Sequence, residues 1–103
     1  MTGTWVKLAK TADVPEGKVK VFSSGEQRVA LAHTKDGFFA MQDLCTHDDG
    51  PLGDGAITGN DVECPRHGAR FDVQTGTVTR MPAIVPVKVF PVKVEGSDVL
   101  VQL

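Results

Sequence analysis

Residues 18–42 read KVKVFSSGEQRVALAHTKDGFFAMQ. Three runs within them, KVKVFS (18–23), RVALAH (28–33) and GFFAMQ (37–42), are short, rich in Val and Phe, and parted by Ser24-Gly25 and Asp36-Gly37. That is the pattern of antiparallel strands joined by hairpins, with glycine supplying the positive φ that tight turns require. Upstream, TWVKLA (4–9) predicts another strand. Downstream, VPVKVFPVKVEGSDVLVQL (85–103) alternates Val87 and Val89, then changes phase to Val92 and Val94 across Pro91. The phase change predicts a bulge or an edge position at the proline. A turn at Glu95-Gly96-Ser97-Asp98 leads into Val99, Val101 and Leu103, which are expected to close the sheet, and Thr75-Gly76 marks a further turn. No stretch has helical period, so the sequence predicts an all-β meander.

The chain has 103 residues, 41% of them hydrophobic and 23% charged, which suits one globular domain spanning 1–103. A formal net charge of −2 argues against nucleic acid or an anionic membrane as partner, because both demand a basic face. The opening MTGTWVKLAK lacks the apolar run of a secretion signal, and nothing approaches the ~18 apolar residues of a membrane span. A cytoplasmic location is expected. In a reducing compartment two cysteines are more plausibly free, catalytic or metal-bound than paired.

The strand pattern breaks over DLCTHDDGPLGDGAITGNDVE (43–63), which combines glycines and one proline with six acids (Asp43, Asp48, Asp49, Asp54, Asp61, Glu63) and no base. This predicts a loop. A structureless loop of such length is uncommon in a compact domain unless it is functional, and a bound metal would order it. Both cysteines and two of the three histidines lie in or just after it, as Cys45-x-His47, sixteen residues, then Cys64-x-x-His67. Four N/S ligands in two clusters suit zinc, iron or an iron–sulfur centre and not magnesium or calcium. Spacing alone leaves a structural zinc site open. His33 ends RVALAH in phase with Val29 and Leu31, which predicts a partly buried strand-end residue and not a fifth ligand. GPLGDG (50–55) has neither the order of a dinucleotide loop nor a phosphate-binding lysine.

C-T-H at 45–47 with C-P-R-H-G at 64–68 resembles the Rieske iron–sulfur fingerprint, C-x-H…C-x-x-H, and more narrowly the Rieske-type ferredoxins of bacterial ring-hydroxylating dioxygenase systems. The resemblance extends over nearly the whole chain. It implies an antiparallel β-sandwich or barrel with a small cluster-binding subdomain made by two loops, at about 43–70. It also implies a [2Fe-2S] cluster with Cys45 and Cys64 on one iron and His47 and His67 on the other. Two ferric ions, two sulfides and two thiolates sum to zero, and neutral imidazoles leave that unchanged. Reduction then gives about −1, where a four-thiolate cluster would pass from −2 to −3, so histidine ligation raises the potential.

High-potential members of the wider family carry a disulfide between the two loops and hydroxyls beside the cluster sulfurs. The matching positions here are Gly50 and Arg66 for the disulfide, and Ala69 and Phe71 for the hydroxyls. With Asp48 and Asp49 beside His47, these departures predict a potential toward the low end of the roughly −150 to +300 mV Rieske range. The resemblance further implies a one-electron carrier with no bond-making chemistry of its own, passing electrons from a flavin-dependent NAD(P)H reductase to a terminal Rieske oxygenase that attacks aromatic compounds. It would act as a monomer through transient contacts. Asp48, Asp49, Arg66 and Pro82 are the candidate docking residues, with the proline in a loop that covers the cluster in such folds. Two rival functions remain at this point: the small subunit of an assimilatory nitrite reductase, and a zinc-stabilised interaction module.

Overall fold

The computed structural model describes residues 4–25, 27–43, 52–53, 55–65, 68–81 and 85–103. Within them the strands are β1 (Trp5–Lys10), β2 (Lys18–Ser24), β3 (Gln27–Thr34), β4 (Gly37–Gln42), β5 (Ala56–Thr58), β6 (Asp61–Glu63), β7 (Arg70–Asp72), β8 (Val78–Arg80), β9 (Val89–Phe90), β10 (Val92–Glu95) and β11 (Asp98–Gln102). One 3-10 turn, Thr11–Asp13, is the sole helical element among the described residues. All pairings are antiparallel, in three sheets ordered β1-β11-β10, β2-β3-β4-β9 and β5-β6-β7-β8.

The β2-β3-β4-β9 sheet is the middle layer, and β3 shows why. Its VALA run is buried on both faces, with Val29, Ala30, Leu31 and Ala32 all at 0% exposure, so the strand reads as continuous apolar sequence rather than alternation. Val29 and Leu31, with Ala40 and Phe90, pack on Ala9, Val99 and Val101 of the β1-β11-β10 sheet. Ala30 and Ala32, with Met41, pack on Val62, Cys64, Ala69 and Phe71 of the β5-β8 region. The result is the expected all-β sandwich with a smaller unit stacked on its far face.

Hairpin turns fall where the glycines announced them, with φ of 61° at both Gly25 and Gly96. Pro91 marks a larger event than a bulge. Val89 pairs with Met41 in the middle sheet, whereas Val92 pairs with Val101 in the terminal sheet, so the chain changes sheets at the proline. Pro91 has no N–H to leave unsatisfied, and its carbonyl accepts the Gln102 N–H at 3.0 Å. The last strand is likewise central in its sheet, between β1 and β10, and not an edge.

The expected loop over 43–63 contains two strands instead. Ile57 and Val62 face each other across β5 and β6, and Gly59 makes the turn with φ 62°. Three-residue strands are too short for alternation to show in a sequence crowded with acids, and their stability comes from the third sheet and the core beneath it.

Candidate metal centre

Cys64 follows β6 directly. Two residues after Val62, it continues the inward-facing row, and it is a free thiol buried to 1% exposure in the same core as Leu52, Ala69 and Phe71. Its N–H donates to the Ala69 carbonyl at 2.7 Å, and its carbonyl accepts the Gly68 N–H at 3.1 Å. The β6–β7 ladder therefore runs one pair beyond Glu63↔Arg70, and Gly68, at φ 76°, brings the chain round to close it. A cysteine fixed by main-chain bonds on both sides, inside an apolar pocket, matches what a soft metal centre needs from a thiolate.

The first cysteine-bearing segment is anchored at the same end of that core. Asp43, next after β4, continues the β3–β4 ladder with its N–H on the Arg28 carbonyl at 3.2 Å. Its Oδ1 accepts the N–H groups of Leu52 at 2.8 Å and Gly53 at 2.7 Å, so the chain leaves and returns at one point. Leu52, at 0% exposure, packs in the core that holds Cys64. Sequence reasoning misses this role, because Asp43 reads there as one of six acids in a loop. Its only signal is position, one residue past the end of a strand and two before a cysteine.

On the outer face of β6, β7 and β8, Glu63 Oε1 lies 2.8 Å from Arg70 Nε and 3.9 Å from Arg80 Nη1. One carboxylate is thus shared between two guanidinium groups beside Cys64. Ala69 and Phe71, at 0% exposure, bring no hydroxyl to this region.

His33 lies elsewhere. It shares its face of β3 with Val29 and Leu31, turned away from Cys64, and its Nδ1 is 2.8 Å from the Val14 carbonyl oxygen. Cys45, His47, Asp48, Asp49, Gly50, Arg66, His67 and Pro82 lie outside the described residues, and among the described residues no group of three metal-binding side chains assembles. Nor is any helix among the described residues long and apolar enough to cross a membrane.

Short antiparallel sheets around the buried Cys64 thiol, with the ends of the other cysteine segment rooted in the same core, form an all-β frame suited to a thiolate-bound metal. The model of the Rieske [2Fe-2S] domain matches residues 4–91, and the chain belongs to that family. It is 39% identical over 97 residues to the ferredoxin component of biphenyl 2,3-dioxygenase from Rhodococcus jostii (strain RHA1), covering 94% of this chain and 91% of the relative. It is 35% identical over 103 residues to the ferredoxin component of the naphthalene 1,2-dioxygenase/salicylate 5-hydroxylase systems of a Ralstonia species, covering 100% and 99%. Among solved structures, a chain of the complex of reduced oxygenase and oxidised ferredoxin in carbazole 1,9a-dioxygenase superposes with a TM-score of 0.88 at 34% identity, covering 95% of this chain and 92% of that one.

Proposed function

We propose that residues 1–103 form one domain whose segments at about 43–70 hold a single [2Fe-2S] cluster, with Cys45 and Cys64 on one iron and His47 and His67 on the other. The family match supports the cluster, and the buried, unpaired Cys64 supports its thiolate share. When bound, such a cluster takes up and releases one electron. The protein is the ferredoxin component of a ring-hydroxylating dioxygenase system, an electron carrier and not itself a catalyst.

Each part of the chain has a share in that task. The apolar pocket of Leu52, Ala69 and Phe71 excludes water from Cys64, which favours the less charged cluster that histidine ligation provides. His47 and His67 carry the electron outward, and Asp48, Asp49, Arg66 and Pro82 meet the partner proteins. Those partners are a terminal oxygenase and a flavin-dependent NAD(P)H reductase, docking on a monomer in the cytoplasm through interfaces under about 1,200 Å². An oxygenase is favoured over a nitrite reductase because the relatives belong to dioxygenase systems.

The observation that carries the proposal is the family match spanning both cysteine segments. Its test is direct. The purified protein should be red-brown, hold two irons and two acid-labile sulfides, bleach with dithionite, and show a rhombic signal when reduced. A colourless, zinc-bearing preparation would establish the zinc module instead.

A further inference from the structure

The carboxylate of Asp43 has a side-chain exposure of 0%, a costly position for a charge unless every lone pair is answered. Its two oxygens divide the partners. Oδ1 takes the Leu52 and Gly53 N–H groups, and Oδ2 takes Arg28 Nε at 3.1 Å and Nη2 at 2.8 Å. Arg28 belongs to β3 and keeps most of its own side chain in solvent, at 62% exposure, so the ion pair is buried on one side only. One side chain thereby joins a central strand, the end of β4 and the returning chain. The eight residues it brackets, 44–51, include Cys45 and His47.

Gly53 is part of the same device. A Cβ there would collide with Val21 Cγ2 and come to 3.3 Å from Asp43 Oδ1. Only glycine lets this N–H close on the carboxylate. Among the described residues, the second segment is joined by main-chain bonds between Cys64, Gly68 and Ala69, whereas the two ends of the first converge on the carboxylate of Asp43.

Resting on the ligation proposed above, we propose that Asp43, held by Arg28, is the positioning residue of the first ligand segment: it fixes where that segment leaves and rejoins the core, and so presents Cys45 and His47 to the cluster. A segment whose ends are joined beforehand loses less freedom when its ligands bind, so the cluster is retained longer. Residues that orient metal ligands from behind typically contribute about 10–100-fold to metal retention.

The test uses cluster-loaded wild type, Asp43→Asn, Asp43→Ala and Arg28→Lys. Two quantities are read: the rate at which visible absorption decays in excess chelator, and the g-values of the reduced cluster. Asp43→Ala should release its cluster about 10–100-fold faster than wild type. Asp43→Asn keeps the Oδ1 acceptor and should fall between, as should Arg28→Lys, and both should shift the g-values while far-ultraviolet dichroism stays native. If Asp43→Ala yields no folded protein, the two milder variants decide. Wild-type release rates and g-values in Asp43→Asn and Arg28→Lys would overturn the proposal. So would faster release that merely follows global unfolding with the g-values unchanged. A wild type without any iron–sulfur cluster would overturn the ligation itself, and that outcome is visible before a variant is made.

Discussion

The imidazole of His33 is stacked on the ring of Phe38, with centroids 4.0 Å apart and planes 18° apart. Each residue lies on the face of the middle sheet that packs toward β1 and β11, the face opposite the one that meets Cys64. Stacked pairs of this kind contribute about 0.5–1.5 kcal/mol beyond their area. His33→Asn should therefore lower the unfolding free energy by about 1 kcal/mol and leave the visible spectrum and iron content as they are. Loss of the spectrum in this variant would mean that the ligand set has been misassigned.

Cys64→Ser and His67→Ala are expected to abolish the cluster outright, read as iron content and visible absorption after purification. A serine hydroxyl stays protonated at neutral pH and is a poor stand-in for a thiolate ligand, and Cys64 is buried to 1% exposure. Retention of a native spectrum by either variant would contradict the proposed ligation.

Ala69 and Phe71 sit fully buried beside Cys64 without a hydroxyl between them. Fewer donors near the cluster sulfurs make added negative charge harder to hold. Protein-film voltammetry should place the midpoint in the lower part of the roughly −150 to +300 mV range of Rieske centres, and a value well above 0 mV would refute this.

Electron transfer to a partner should slow as salt rises, because the proposed docking acids Asp48 and Asp49 would steer by charge and the Debye length shrinks from ~10 Å at 0.1 M to ~3 Å at 1 M. Stopped-flow rates indifferent to ionic strength would remove Asp48 and Asp49 from docking.

Gly76 has φ 80°, and a Cβ on it would run into the Val87 carbonyl, which accepts no such approach while Val87 N–H bonds back to the Gly76 carbonyl at 2.9 Å. Gly76→Ala should destabilise the protein by about 1–3 kcal/mol, the usual cost of forcing a side chain into this backbone region. Thermal unfolding measures it. An unchanged melting temperature would show that β8 and the 85–88 segment shift to make room.

Local chemistry made much of this molecule readable in advance. Each of the first four strands follows a short apolar run, with glycine turns after β2 and β3, and the C-x-H and C-x-x-H groups mark a soft-metal site by residue type and spacing. Such signals need only neighbours in the chain. β5 and β6 were hidden because a three-residue strand is held by pairing and by a core contributed from elsewhere. The sheet change at Pro91 was half visible, since alternation shows which face a residue takes but not which sheet receives it.

Residue type and short spacing suffice for the set of chemical groups: two thiols, two imidazoles beside them, and a β-rich frame. Where those groups stand depends on contacts between distant parts of the folded chain. His33 is set on the far face by the parity of β3. Cys64 is sealed into a core with Ala30, Met41, Leu52, Phe71 and Val87, which lie far apart in the chain. Asp43 becomes a closure because Arg28, Leu52 and Gly53 converge on it from 15, 9 and 10 residues away. Burial and convergence are sums over distant parts of the chain, and no local pattern carries them.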